Sequence, residues 1–214
     1  MRRRLRSERE SMGRHSAEPG TPRVPKRSHG RLVWIVLLVA FGLLIVDQAT
    51  KFVAVESLSD GQRINVIGDW LTFYLVYNPG AAFSFASGAT WIFTIIAVVV
   101  IVVVIRVAQK LGSVWWALSL GLLLGGAAGN LIDRLFREPS FGQGHVVDFI
   151  AYGNWFVGNV ADIGIVLAAV SIAILAVVGL EIDGSRPSKK AEPVVVDGDG
   201  EADDGPVQRR SIIE

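Results

Sequence analysis

Residues 91–105 read WIFTIIAVVVIVVVI, an almost pure Ile/Val block without a charged side chain, and Arg106 and Lys110 follow it. Three further apolar runs lie at 32–46, 114–132 and 163–180. Each run holds about 15–19 residues, close to the roughly 20 that an α-helix needs to cross a bilayer. The pattern predicts an all-α integral membrane protein with four transmembrane helices.

The distribution of charge supports a membrane-embedded middle with polar ends. The chain has 214 residues, of which 51% are hydrophobic and 19% charged. A soluble domain carries about 25% charged residues, and here most of the charged residues lie outside 32–180. We therefore predict a disordered basic cytoplasmic arm at 1–31, a four-span membrane domain at 32–181 and a disordered acidic cytoplasmic tail at 182–214.

The bias of Lys and Arg predicts the orientation in the membrane. The arm, the short connection at 106–112 and the tail carry most of these residues, whereas the two longer connections carry few. Both termini are therefore predicted to be cytoplasmic, with the longer connections outside. The first outer loop contains INVI at 64–67 and WLTFYLVY at 70–77, separated by a Gly-Asp turn. This pattern predicts a small outward-facing β-rich element in that loop.

The composition excludes several kinds of site. The chain has no cysteine, so disulfides, thiolate metal sites and a cysteine nucleophile are excluded. Its three histidines do not supply a multi-histidine metal site in the apolar region. We predict no metal, no cofactor and no nucleic-acid partner, and interpret the basic arm as a segment attracted to the membrane surface.

Small residues recur at four-residue spacing in the third apolar run. Gly121, Gly125 and Gly129 lie on one stripe of a helix with this spacing. Such a stripe lets helix backbones approach closely in lipid. We interpret it as structural.

Polar residues lie where the apolar runs meet the outer side. Asp47 interrupts the first run at a predicted depth inside the outer third of the membrane, where an ionisable group is costly unless it has a partner. GNLID at 129–133 and GNVAD at 158–162 each place Asn and Asp three residues apart, on one helical face. These three helix ends are predicted to converge on one layer, which indicates a functional cluster.

The aspartates of this layer differ in their local charges. Asp47 has Lys51 four residues on, and Asp133 is followed directly by Arg134. Neighbouring cations favour ionised carboxylates, which suits a structural or substrate-orienting role.

Asp148 and Asp162 have no Lys or Arg within four residues. If the fold brings them together, both cannot ionise easily, and the pair titrates as a unit. An aspartic protease uses this arrangement to activate water. The residues alone leave two alternatives, a proton or ion path and a helix-packing network. Serine-protease chemistry is disfavoured because no G-x-S-x-G occurs.

Five sequence blocks resemble one known family. In chain order they are DQATK at 47–51, NPGAAFS at 78–84, GGAAGNLIDRL at 125–135, VVDF at 146–149 and NVADIGI at 159–165. With this topology, the chain resembles the bacterial lipoprotein signal peptidases (signal peptidase II), four-span aspartic peptidases of the cytoplasmic membrane. The resemblance extends from about residue 33 to about residue 180.

The resemblance implies a catalytic dyad of Asp148 and Asp162, in agreement with the charge pattern. It also implies residues that line or support the site, with Arg134 and the asparagines holding substrate carbonyl or lipid-ester oxygens. These supporting residues are Asp47, Lys51, Asn78, Gly80, Asn130, Asp133, Arg134, Asn159 and Ala161.

The family implies a diacylglyceryl prolipoprotein as substrate, cut just before the lipidated cysteine with water as the nucleophile. We expect a monomer in contact with membrane lipid, with its active site near the outer face of the bacterial cytoplasmic membrane. The alternative function is a small transporter or proton-coupled membrane protein that uses the same polar cluster.

Overall fold

The computed structural model describes residues 29–80 and 90–186. Its elements, in chain order, are α1 His29–Leu58, β1 Ile64–Ile67, β2 Leu71–Asn78, α2 Thr90–Ala108, α3 Val114–Phe136, β3 Val146–Tyr152, β4 Phe156–Gly158 and α4 Val160–Val177. Most of the predicted arm, most of the predicted tail and the AAFS part of the block at 78–84 lie outside the described residues.

All four helices are long and apolar enough to cross a membrane, as predicted. Helix α3 has the largest buried share of the four, because it packs against α1, α2 and α4. Buried apolar residues of α1, α2 and α3, including Val36, Val104 and Leu120, form one core cluster. Many large side chains elsewhere on the helices are exposed, which is the surface that lipid requires.

The prediction that Asp47 ends the first span is wrong. Helix α1 continues without interruption to Leu58 and is 30 residues long. Asp47 does not break the helix because its side chain has partners inside the protein: Lys51 lies one turn later, and Ala161 N donates to its Oδ1. Helix α3 likewise runs past the apolar residues to Phe136.

The glycine stripe of α3 lies against α1, which confirms the predicted close approach. A Cβ on Gly125 would lie 2.7 Å from the carbonyl oxygen of Ala40, and one on Gly121 would lie 2.8 Å from Val39 Cβ. Gly129 faces the carboxylate of Asp47. The stripe therefore brings the polar end of α1 into contact with α3.

The sheet has four antiparallel strands in the order β1-β2-β3-β4. Strands β1 and β2 lie in the connection between α1 and α2, close to the predicted bounds. The prediction of a β-element confined to this connection was incomplete, because β3 and β4 come from the connection between α3 and α4. Strand β3 is buried at six successive positions, so its sequence lacks the alternation that marks a half-exposed strand.

The chain that follows α4 folds back onto the connection between α2 and α3. Trp116 Nε1 donates to the carbonyl oxygen of Leu180 (2.8 Å), and Gly112 N donates to that of Ile182 (2.9 Å). The first residues of the predicted tail, 182–186, are thus in contact with the opposite end of the helices from the sheet.

Candidate active site

Asp148 and Asp162 reach one site from different elements. Asp148 lies in the middle of β3, where it is paired with Val76 of β2, and Asp162 lies in the first turn of α4. Asn159, directly before α4, contacts both carboxylates. The fold therefore brings together the two aspartates that have no cation nearby in the sequence.

A capping box explains the spacing of Asn159 and Asp162. Asn159 Oδ1 accepts a hydrogen bond from Asp162 N (3.0 Å), and Asp162 Oδ2 accepts one from Asn159 N (3.1 Å). This reciprocal pair satisfies two backbone donors at the start of α4. Asn159 is therefore the N-cap, in extended conformation. The prediction that Asn159 and Asp162 share a helical face is wrong, because Asn159 precedes the first helical residue.

Asp148 is 2% exposed and accepts two short hydrogen bonds from amides. Asn159 Nδ2 donates to its Oδ1 (2.6 Å), and Asn78 Nδ2 donates to its Oδ2 (2.7 Å). Burial raises the pKa of Asp148 to about 6, and the charge of Asp162 acts in the same direction, while the two amides oppose the shift. Asp148 can therefore change protonation state near neutral pH.

The orientation of the two amides that face Asp148 is dictated by their other contacts. Asn78 Oδ1 accepts from Gly80 N (2.8 Å), and Asn159 Oδ1 accepts from Asp162 N. A backbone N–H can only donate, so the atom opposite it must be the amide oxygen. The NH2 group of each side chain then points to the carboxylate of Asp148.

Asn130, from α3, presents its NH2 group to the other member of the pair. Asn130 Nδ2 donates to Asp162 Oδ1 (2.8 Å). Its Oδ1 accepts from Lys51 Nζ (3.0 Å) and from Asn159 Nδ2 (3.2 Å). Each carboxylate of the pair is thus held by neutral donors.

Asp47 and Asp133 form a separate buried ion network with Lys51. All three side chains are 0% exposed, and Lys51 Nζ lies 2.9 Å from Asp47 Oδ2 and 2.8 Å from Asp133 Oδ2. Asp47 Oδ1 also accepts from Ala161 N (2.9 Å), one residue before Asp162. Asp133 Oδ2 also accepts from Val147 N (3.2 Å), one residue before Asp148. The network therefore fixes the backbone beside both candidate catalytic residues.

Arg134 does not pair with Asp133. In the part of the chain that the structure describes, the cations within 4.0 Å of Asp133 are Lys51 and Arg137. Successive helical residues diverge by about 100°, so Arg134 points away from its neighbour. Its guanidinium lies 5.2 Å from the centre of the Phe93 ring, and its buried Nη1 has no hydrogen-bond partner among the described residues.

Gly80 and Ala161 support the site by being small. Gly80 has a φ of +106°, and a Cβ there would collide with the ring of Phe93. Ala161 is 0% exposed and packs against Gly126 and Gly129 of α3. A larger side chain at either position would displace the elements that carry the asparagines.

Two residues of the cluster were missed by the sequence analysis. Gln48 Nε2 donates to Asp47 Oδ2 (3.1 Å) and to the carbonyl oxygen of Gly129 (3.2 Å). Arg137 Nε lies 2.7 Å from Asp133 Oδ1. The i,i+4 spacing of Asp133 and Arg137 could have revealed the second contact.

The acidic side chains of the cluster do not form a metal-binding set. Within 29–80 and 90–186, no group of three or more His, Cys, Asp or Glu side chains is arranged to hold a metal ion.

Comparison with known proteins places this geometry in a family. The family model described as signal peptidase (SPase) II matches residues 39–178. The lipoprotein signal peptidase of Rhodococcus jostii (strain RHA1) is 50% identical over 152 residues, which cover 71% of this chain and 77% of that protein. The lipoprotein signal peptidase of Mycobacterium tuberculosis (strain ATCC 25618 / H37Rv) is 46% identical over 168 residues, covering 78% and 81%.

A solved structure has the same fold. It is described as a bacterial membrane enzyme structure by the in meso method at 1.9 Å resolution, and it superposes with a TM-score of 0.59 and 28% sequence identity. The match covers 66% of this chain and 91% of that chain. The four spans, the ordered sequence blocks and these matches together show that the chain belongs to the signal peptidase II family of lipoprotein signal peptidases.

Proposed function

We propose that this protein is an aspartic endopeptidase that removes signal peptides from diacylglyceryl-modified prolipoproteins, with Asp148 and Asp162 activating water. Family membership supports a peptidase that acts on prolipoproteins. The observation that carries the aspartic mechanism is the pairing of two carboxylates through Asn159, outside every ion pair of the described residues.

The charges of the cluster support this mechanism. The cluster contains four carboxylates and three cations, so one bound proton would balance its charge. Asp47 and Asp133 lie in ion pairs, whereas amide donors hold Asp148 and Asp162, which favours the Asp148–Asp162 pair as the site of that proton. The seven charged residues are Asp47, Lys51, Asp133, Arg134, Arg137, Asp148 and Asp162.

A pair of carboxyl groups that shares one proton can run both halves of amide hydrolysis. The ionised member takes a proton from water as the water oxygen attacks the scissile carbonyl carbon, and the protonated member donates to the carbonyl oxygen. Transfer of a proton to the amide nitrogen then breaks the C–N bond. The products are the signal peptide, with a new carboxyl terminus, and the lipidated cysteine, with a free amino group.

Arg134 is the candidate group for substrate carbonyl oxygens. Its guanidinium interacts electrostatically with Asp148, Asp133 and Asp162, and its Nη1 is a buried donor without a partner among the described residues. A buried donor that is left unpaired costs free energy until an acceptor arrives. A substrate peptide carbonyl or a lipid ester oxygen supplies that acceptor.

The membrane supplies substrate positioning. The site lies where the sheet meets α1, α3 and α4. The excess of Lys and Arg on the other side of the spans supports a location of this end at the outer face of the bacterial cytoplasmic membrane. A lipid attached to the cysteine stays in the outer leaflet and holds the scissile bond at the depth of the aspartates. The enzyme acts on this substrate as a monomer with both termini in the cytoplasm.

The test is cleavage of a diacylglyceryl prolipoprotein by purified protein in detergent. Asp148→Asn and Asp162→Asn each abolish cleavage, because an amide cannot serve as base or share the proton. Asp69→Asn, which changes an exposed carboxylate in the β1–β2 turn, is the matched control and retains wild-type activity. Cleavage at a wild-type rate by either dyad variant, in a folded state, would refute the assignment.

A further inference from the structure

The amide of Asn130 lies between a buried cation and a candidate catalytic carboxylate. Its Oδ1 is 3.0 Å from Lys51 Nζ, and its Nδ2 is 2.8 Å from Asp162 Oδ1. A terminal amide can rotate by 180° and exchange these two atoms. The environment of Asn130 must therefore determine which end Asp162 meets.

The ammonium group of Lys51 is fully used by three acceptors. Its three N–H donors match three oxygens, Asp47 Oδ2 (2.9 Å), Asp133 Oδ2 (2.8 Å) and Asn130 Oδ1 (3.0 Å). The side chain is 0% exposed, so water does not compete for these donors. The position of the ammonium is thus set by two carboxylates on different helices.

We propose that Lys51 is a positioning residue that sets the orientation of the Asn130 amide, so that its NH2 group faces Asp162. An ammonium group can only donate hydrogen bonds, so it cannot form one with the NH2 group of Asn130. In the rotated amide, two donors would meet at Lys51 and two acceptors would meet at Asp162. The inference rests on the proposed aspartic mechanism, because it concerns the carboxylate assigned to the dyad.

A second contact favours the same orientation but is the weaker one. Asn159 Nδ2 also donates to Asn130 Oδ1, at 3.2 Å. The bond from Lys51 is shorter and carries a positive charge, and charge-assisted hydrogen bonds are roughly twice as strong as neutral ones. Of the two donors that Asn130 Oδ1 accepts from, Lys51 is therefore the stronger determinant of the amide orientation.

The charged groups around this contact come from four elements. Lys51 and Asp47 lie on α1, and the remaining groups lie on α3 or at its C-cap, on β3 and on α4. They are Asp133, Arg134, Arg137, Asp148 and Asp162. A test must therefore separate the orientation of Asn130 from a change in the charge of the cluster.

The charge-matched variant Asp47→Asn/Lys51→Met makes this separation. It removes one negative and one positive charge together, so Asp133 keeps Arg137 and the net charge is unchanged. We expect the thermal midpoint in detergent to stay close to that of the wild type while kcat for prolipoprotein cleavage falls on the order of 100-fold. KM should change little, because the Lys51 side chain is 0% exposed.

The double variant can also be compared in a protein that lacks the Asn130 amide, where the loss of Lys51 should no longer affect kcat. In Asn130→Ala, the group through which Lys51 acts is gone, so adding Asp47→Asn/Lys51→Met should lower kcat only slightly further. Losses that multiply would overturn the inference, because independent effects add in free energy. Wild-type kcat in the charge-matched variant would overturn it as well. If the wild type itself does not cleave a prolipoprotein, the proposed function fails instead.

Discussion

Asn159 Nδ2 donates a 2.6 Å hydrogen bond to Asp148 Oδ1 while the oxygen of the same amide caps helix α4. One side chain thus joins the start of a membrane helix to a carboxylate on a strand. Because Asp162 occupies the N3 position of the same capping box, the local geometry of the helix start also holds Asp162 beside the amide that meets Asp148. The cap of α4 is therefore part of the candidate active site.

Asn159→Ser should separate the two roles of this residue. Serine is as good an N-cap as asparagine, so the stability should change by less than about 1 kcal/mol. Serine has no NH2 group for Asp148, and kcat should fall on the order of 100-fold. Thermal unfolding in detergent and a cleavage assay measure the two effects. Asn159→Ala is the control, because it loses the cap as well and should be about 1 kcal/mol less stable. Unchanged cleavage by the serine variant would contradict the role of the amide.

The pH dependence of cleavage should reflect Asp148. Burial raises its pKa to about 6, so the shared proton is lost as the pH rises past this value. We expect kcat/KM to fall along an alkaline limb with a midpoint near pH 6.

Asn78→Ala should move this limb in a known direction. The hydrogen bond from Asn78 favours the ionised carboxylate of Asp148, so its loss raises the pKa of Asp148 further. The singly protonated pair then persists to higher pH, and the limb shifts upward. Asn65→Ala, at an exposed position on the same sheet, is the control and leaves the limb in place. A downward shift in Asn78→Ala would contradict the assignment of the limb to Asp148.

The contact between α1 and α3 should be sensitive to a single methyl group. In Gly125→Ala the new Cβ would lie 2.7 Å from the carbonyl oxygen of Ala40, which is backbone and cannot turn aside. We expect a loss of about 1–3 kcal/mol of stability, measured as a lower thermal midpoint in detergent.

Gly42→Ala is the matched control for this substitution. Gly42 also lies in a membrane helix, but a Cβ there meets nothing within 4 Å. Its thermal midpoint should stay the same or rise, because alanine favours a helix more than glycine does. Equal losses in both variants would show that helix contact is not the cause.

The orientation in the membrane can be tested with single cysteines, because the natural chain has none. Ser59 and Ser185 are both exposed and lie at opposite ends of the helices. A membrane-impermeant thiol reagent should label Ser59→Cys in intact cells and Ser185→Cys only after permeabilisation. The reverse pattern would place the candidate site on the cytoplasmic side.

The membrane fold was readable from the sequence because apolar runs are a local property. Each of the four runs became a helix, and the stripe of Gly121, Gly125 and Gly129 predicted which face of α3 would allow close approach. The predicted helix ends were less accurate. A charged residue such as Asp47 ends an apolar run in the sequence. In the fold the helix continues through Asp47, because Lys51 and the backbone N–H of Ala161 bind its carboxylate.

Part of the candidate site could also be predicted from the sequence. The absence of a nearby cation singled out Asp148 and Asp162, and the resemblance to a family indicated the same residues. Strands β3 and β4 were not predicted, because β3 is buried on both faces and its apolar residues do not alternate.

The sequence by itself determined the membrane class, the four spans and the small set of polar residues from which a site could be built. The tertiary structure alone decided the partners: Asp133 binds Lys51 and Arg137 instead of Arg134, and Asn130 turns its NH2 group to Asp162. Helix formation depends on neighbours within a few residues, whereas an ion pair or an amide orientation depends on groups that meet only after distant segments have packed.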